Sequence, residues 1–287
     1  MPGALLLGRN EHFAVMFRML LGSWIWLSLA VMTVGGAEAR TDFHGFVNWN
    51  FHHRKSLVSW RATATAIQRT LAQWYPGRSP HTLVENGSPA ALGKFFHGLP
   101  AGSDCDFSIV YLASHQSPAG EWDFVTRQME PLSRLATASD IPGHPARIVI
   151  VDACFAAAVQ RAAAWERAWR SGSLFAASDA EETQELNFRS PQPIDLRRRY
   201  PEAAAWLREN MGREWDGRLS FLGFVWVQTF VTSPAAPGDL KSWGEFLRGC
   251  EKTAKQFREN GDRRIASRIV FTPATNSPPP ISARRQR

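Results

Sequence analysis

Two residues of this 287-residue chain supply the atoms that nucleophilic catalysis needs, a thiol and an imidazole. Cys154 directly follows the apolar run Arg147–Ala153 (RIVIVDA), and His115 directly follows Phe107–Ser114 (FSIVYLAS). Both runs are rich in β-branched residues and read as strands. In an open parallel sheet, ligand chemistry collects at the carboxyl ends of the strands, and neighbouring strands lie roughly 4.8 Å apart. If the two strands are neighbours, thiol and imidazole leave the same edge as a nucleophile and its base. A helix expected over residues 156–170 would direct its positive end at the thiol and favour the thiolate.

The elements that must position this pair follow from the same patterning. A weak strand is expected over residues 44–49, then a helix over residues 57–73, stopped by Tyr75-Pro76-Gly77. A short strand over His81–Glu85 precedes a helix over residues 90–97, with Ser88 as its N-cap. Later come a short strand over residues 173–177, a core helix within residues 219–231, a helix over 243–257 and a last strand over 268–271. Near-continuous apolar strands alternating with helices indicate a parallel sheet covered on both faces, hence an α/β fold. No internal repeat is found, and one domain over residues 40–272 is the simplest organisation. The Pro-rich, Arg-rich residues 273–287 read as a disordered tail.

Composition and absent motifs narrow the chemistry. With 44% hydrophobic residues, 18 Phe, 12 Trp and only 3 Cys, neither a disulfide-stapled miniprotein nor a disordered chain is compatible. The formal charge is +7. Arg197, Arg198, Arg199 and the terminal Arg284, Arg285 and Arg287 read as solvated surface, because no nucleic-acid motif or stacking pattern accompanies them. The sequence has no Gly-rich dinucleotide fingerprint, phosphate loop, Gly-x-Ser-x-Gly elbow or His-Glu-x-x-His. Cys pairs at zinc spacing are also missing, and the adjacent His52 and His53 could not share a helix face. No metal and no organic cofactor are expected. Residues 1–39 read as a signal peptide: Arg18, an apolar run over 19–34, then Ala37-Glu38-Ala39 before a cleavage point. The alternative is an uncleaved membrane anchor, since the run approaches the ~20 residues that span a bilayer. The chain is therefore expected to be exported, periplasmic or extracellular. In an oxidising compartment Cys105 and Cys250 could pair; two buried thiols are the other reading.

Leu112-Ala113-Ser114-His115-Gln116 and Val151-Asp152-Ala153-Cys154-Phe155-Ala156 resemble the His and Cys motifs of the caspase/legumain superfamily of cysteine peptidases, clan CD, nearer its legumain side. That superfamily ends one strand in Ser-Gly-His-Gly or Thr-Ser-His-Gly and the next in (Asp/Glu)-x-Cys-x-Ser-Gly. Residues 175–182 resemble its following strand, and Asn50-Phe51-His52-His53 is similar to the Asn-Tyr-Arg-His of legumain-like members. The resemblance spans residues 44–251 with decreasing force. It implies a caspase-like single domain, mostly parallel, with strand order 2-1-3-4-5-6 and helices on both faces. It also implies that Cys154 attacks a peptide carbonyl, His115 handles the proton of the leaving amine and Asn50 orients the imidazole. Backbone N–H groups near Cys154 and Gln116 would bind the oxyanion. Asp152, together with Asp179, Glu181 and Glu182, would line a pocket for Arg, Lys or Asn before the scissile bond.

Two positions depart from the superfamily pattern: Gln116 stands where a Gly follows the His, and Phe155-Ala156-Ala157 replaces x-Ser-Gly after the Cys. A glycine permits close backbone approach, so both changes stiffen the expected oxyanion region. The leading expectation is an exported cysteine endopeptidase acting on a peptide or protein substrate, with no nucleic-acid partner and membrane contact only through an uncleaved N-terminal segment. The alternative is a catalytically silent caspase-like module that binds peptide at the same edge; an unrelated esterase would need the missing Ser elbow. The Arg-rich stretch 189–200 reads as an exposed loop that an enzyme preferring basic residues could cut in its own chain.

Overall fold

The computed structural model describes residues 40–48, 54–76, 81–85, 87–101, 105–124, 129–131, 141–144, 146–156, 173–176, 185–189, 195–213, 215–233, 235–259 and 268–272. The expected signal segment, helix 156–170 beyond its first residue, His52, His53 and the C-terminal tail lie outside them. Among the described residues, no helix is long and apolar enough to cross a membrane.

Six strands form one sheet: β1 (Thr41–Val47), β2 (His81–Glu85), β3 (Phe107–Ser114), β6 (Arg147–Ala153), β7 (Ser173–Ala176) and β10 (Val270–Thr272). Their spatial order is β2-β1-β3-β6-β7-β10. In sheet strands alone this is the expected 2-1-3-4-5-6, parallel except for β10, which runs antiparallel to β7. Two further two-stranded antiparallel sheets are β4 (Glu121–Asp123) with β5 (Met129–Pro131), and β8 (Glu185–Asn187) with β9 (Arg218–Ser220). The sequence reading did not anticipate either.

The sheet lies between two apolar layers because its central strands are apolar on both faces. Ile109, Tyr111 and Ala113 of β3 and Ile148 and Ile150 of β6 enter the larger layer. Their neighbours Val110, Leu112, Val149, Val151 and Ala153 enter the smaller one. The larger layer is roofed by α1 (Arg54–Trp74), α4 (Pro201–Asn210), α5 (Phe221–Thr232) and α6 (Leu240–Glu259); a short α3 (Leu196–Arg199) precedes α4. The smaller layer is closed by α2 (Pro89–His97), which packs Leu92, Phe95 and Phe96 inward. Its expected cap is present: Ser88 Oγ accepts from the Ala91 amide at 3.1 Å.

The helix α5 has buried residues all around its axis, Phe221 to Val227 without a break. It sits among α1, α4 and α6, where Trp74, Trp226, Trp243 and Phe246 meet edge-on or tilted with centroids 4.8–6.5 Å apart, the arrangement aromatic quadrupoles favour. The indole N–H of Trp226 donates to Thr70 Oγ1 of α1 at 2.8 Å. Close approach of α5 to α1 depends on Gly223, where an added Cβ would meet Thr63 Oγ1 at 2.5 Å and Thr63 Cγ2 at 2.7 Å.

All three cysteines are free thiols. Cys250 is inside the larger layer on α6. Cys105 stands beside His144, Sγ to Nε2 3.3 Å. The pairing of Cys105 with Cys250 is therefore not formed. Burial pushes each of these two thiols up to about 12, so neither offers a thiolate near neutrality.

Gly223→Ala is expected to destabilise the fold by about 1–3 kcal/mol, the usual penalty for overpacking. The check is a shift of the urea unfolding midpoint with an unchanged slope; a loss below ~0.5 kcal/mol would mean that α1 and α5 yield to the methyl group.

Candidate active site

The register of the sheet joins the two residues singled out first. Strands β3 and β6 are hydrogen-bonded neighbours with Ser114 opposite Ala153. His115 and Cys154 are thus the next residues on adjacent strands, at the carboxyl edge where a parallel sheet gathers its chemistry. Both are partly accessible, unlike the fully buried strands that deliver them. The His115 ring packs edge-on against Trp60 of α1, with centroids 4.9 Å apart. Trp60 is itself 4% exposed, so it forms a fixed wall for the imidazole.

The loops after these strands are held by amide side chains. Asn48, which directly follows β1, is 1% exposed. Its backbone N–H donates to the Ala113 carbonyl at 2.8 Å, and its Nδ2 donates to Ser114 Oγ at 2.9 Å and to the Asp123 carbonyl at 3.1 Å. One side chain therefore grips the residue before His115 and the hairpin beyond it. Asn48 was missed in the sequence reading, which placed the polar role on Asn50; Asn50 lies outside the described residues. An Asn at a strand end reads as a turn residue unless its partners are known.

Gln116 is 6% exposed. Its Oε1 accepts from the Trp122 indole N–H at 2.8 Å, and its Nε2 donates to the Phe155 carbonyl at 2.8 Å. The residue after the His thus reaches the residue after the Cys and ties the two loops together. Gly120, with φ +82°, turns the chain so that Gln116 bridges Trp122. Phe155 has φ +53°, the left-handed region that side chains other than Gly, Asn and Asp rarely adopt. The carbonyl that holds Gln116 therefore belongs to a strained residue immediately after Cys154. The Gln116 side chain serves the loops themselves, and the role expected at this position falls to its backbone N–H.

Asp152 also departs from expectation. It has no exposed surface, and its Oδ2 accepts from Tyr111 OH at 2.8 Å and from Ser220 Oγ at 2.5 Å. It lies in the interior, tied to groups of the larger layer, rather than on the wall of an open pocket. The reason is strand alternation: Asp152 shares a face with Ile148 and Ile150, and that face is roofed by α1 and α5. Burial raises its carboxyl to about 6, against the two hydroxyl donors that pull it down. The same burial, with Asp152 alongside, holds the Tyr111 phenol well above its ordinary value. Asp179, Glu181 and Glu182 lie outside the described residues. Among the described residues, no group of three or more His, Cys, Asp or Glu could hold a metal ion.

No protein-family model matches this sequence, and no curated protein matches it either. Among solved structures, caspase-1 from Spodoptera frugiperda superposes with a TM-score of 0.50 at 10% sequence identity, over 82% of this chain and 86% of that one. This likeness shows a caspase-like fold, in agreement with the strand order.

Two outcomes follow from the geometry. Gln116→Ala leaves a buried indole N–H and a carbonyl without their partner, and is expected to destabilise by about 1–3 kcal/mol; the thermal midpoint falls while Gln116→Glu retains part of the loss. For Asp152, the folded carboxyl binds its proton more tightly than an ordinary aspartate does. Its contribution to stability is then complete below about pH 4 and is lost as pH rises through about 6. Asp152→Asn, which keeps an acceptor for both hydroxyls, should flatten that decline, on the order of 2–3 kcal/mol between pH 4 and 7. Identical denaturation profiles for the two proteins over that range would show that Asp152 does not titrate there.

Proposed function

We propose that this chain is an exported cysteine endopeptidase, of the legumain-like kind within the caspase-like fold, using Cys154 as nucleophile and His115 as its acid–base partner. The observation that carries the reading is the register of β3 on β6, which puts those two residues side by side at the chemical edge of the sheet. Cys154 is partly exposed and outside any disulfide, whereas Cys105 and Cys250 are buried. Export rests on the apolar N-terminal segment with its Ala-Glu-Ala end.

In this mechanism the Cys154 thiolate adds to the carbonyl carbon of the substrate peptide. The resulting oxyanion is met by backbone N–H groups of the turn at Cys154 and of the loop at Gln116. The imidazolium of His115 gives its proton to the departing amine as the C–N bond breaks, leaving an acyl-thioester. His115 then takes a proton from water, whose oxygen attacks the thioester, and the acid product leaves with Cys154 restored. Trp60 fixes the imidazole face, and Asn48 fixes the strand end that carries it; Asn50 is proposed as the group that orients the ring. Asp179, Glu181 and Glu182 supply negative charge for an Arg or Lys before the scissile bond, or acceptors for an Asn.

A second reading, a silent module that binds peptide without cutting it, is favoured by one observation. Gln116 occupies the position where the superfamily keeps a Gly, and its side chain fills the space between the His and Cys loops.

One assay separates the two. The purified chain is given fluorogenic peptides with Arg, Lys, Asn or Asp before the scissile bond, under reducing conditions, beside Cys154→Ala and His115→Ala. Hydrolysis should appear with the parent protein and fall at least about 10³-fold in either variant, the scale of losing a nucleophile or its base. Absence of hydrolysis, with peptide binding retained equally in Cys154→Ala, would sink the peptidase reading and leave the silent module.

A further inference from the structure

A concave site lies between the β8–β9 strand pair and α4, with a volume of about 750 Å³. Guanidinium groups from four places in the sequence surround it: Arg189 after β8, Arg197 on α3, Arg208 on α4 and Arg213 in the turn beyond α4. Among its described lining residues Glu209 is the only acid. Its floor is apolar, built from Phe188, Ala204 and Trp215, with the Phe188 and Trp215 rings 5.9 Å apart.

The four arginines do not play one part. Arg189 is structural: its guanidinium donates to the carbonyls of Arg213 and Trp215 and so holds that wall in place. Its stem runs beside Gly217, where φ is +90° and an added Cβ would meet Arg189 Cγ at 2.5 Å. The indole N–H of Trp215 is turned back to the Arg218 carbonyl at 2.7 Å, which presents the ring rather than the N–H to the cavity. Arg197 shares its charge with Asp195 at 3.8 Å, both largely exposed, a pairing of little energetic weight. Arg208 and Arg213 have no acidic partner within 4 Å among the described residues. The cavity thus carries two guanidinium groups with no ion-pair partner among the described residues, beside the Phe188 and Trp215 rings.

We propose that this cavity binds an acidic peptide segment, its carboxylates on Arg208, Arg213 and Arg197 and an apolar side chain on the Phe188–Trp215 floor. Guanidinium forks match carboxylates in pairs of parallel hydrogen bonds. The volume is that of a site for a short segment or a single small ligand. A bare phosphate would leave the floor uncovered, and a nucleic-acid strand needs a charged track longer than one cavity. The site uses neither Cys154 nor His115, so it stands whether or not the chain hydrolyses peptides.

The test is fluorescence anisotropy of a labelled Glu-Glu-Leu-Glu-Glu peptide titrated with the full chain. Saturable binding is expected, weakened about tenfold or more by Arg208→Glu or Arg213→Glu, and weakened again on raising the salt from about 0.05 M to 0.3 M. Arg208→Gln and Arg213→Gln, which keep the aliphatic stem of an exposed side chain, should fall between parent and reversal. The Gln-Gln-Leu-Gln-Gln peptide should not bind. Absence of saturable binding, equal binding by the charge reversals, equal binding of the Gln peptide, or tighter binding of ATP or a labelled oligonucleotide would each overturn the proposal.

Discussion

A carboxyl group with no exposed surface, two residues before the thiol, is the constraint to which much of this molecule answers. An isolated ionised carboxylate would be costly inside an apolar layer. The chain meets that cost with hydroxyls from distant segments: Tyr111 on β3 and Ser220 at the end of β9. Ser220 then caps α5 by accepting from the Gly223 amide at 3.1 Å, and its hydroxyl meets Thr63 Oγ1 of α1 at 2.9 Å. Thr63 Oγ1 in turn accepts from the Ser220 amide at 3.1 Å. The positive end of α5 therefore points toward Asp152, an arrangement that favours negative charge. One polar node fixes α1, β3, β6, β9 and α5 relative to one another, directly beneath the edge that carries His115 and Cys154.

Above that node His115 and Cys154 are placed by the sheet, and the loops that follow them are tied by side chains. Register alone brings the His and Cys strand ends together, but loops on an open edge would drift without further ties. Asn48 and Gln116 supply them, one gripping the His side and the other crossing to the Cys side. The Gln that breaks the superfamily pattern is thus a cross-link in its own right. The strained φ of Phe155 is held by a hydrogen bond from the neighbouring loop, which is how unfavourable backbone survives in a folded chain.

The central strands were legible because eight and seven nearly uninterrupted apolar residues have few alternatives to a doubly covered strand. β3 and β6 were placed to the residue. The ends of β1 and β10 were less clear, since short strands at or near the edges carry weaker patterns. The β8–β9 pairing was invisible because its two strands are separated by 30 residues holding two helices, and β9 was absorbed into the apolar run of α5. The site followed the same division. The places of His115 and Cys154 at adjacent strand ends could be read from the strands, whereas the burial of Asp152 could not, because its hydroxyl partners lie 41 and 68 positions away. Long-range polar partners leave no local signature.

The largely apolar, almost entirely buried α5 has a consequence for how the fold is completed. Its twelve residues present no polar stripe, so as an isolated helix it would have no face to turn toward water. It becomes stable only when α1 and the sheet are ready to receive it, and they precede it in the chain by up to 180 residues. Conversely, Asp152 keeps its carboxyl without the Ser220 hydroxyl until the segment beginning at β9 arrives. The N-terminal two thirds therefore lacks the partners that close its larger apolar layer. Completion of the larger apolar layer waits for the last third, because α4, α5 and α6, which cover it, all begin after residue 200.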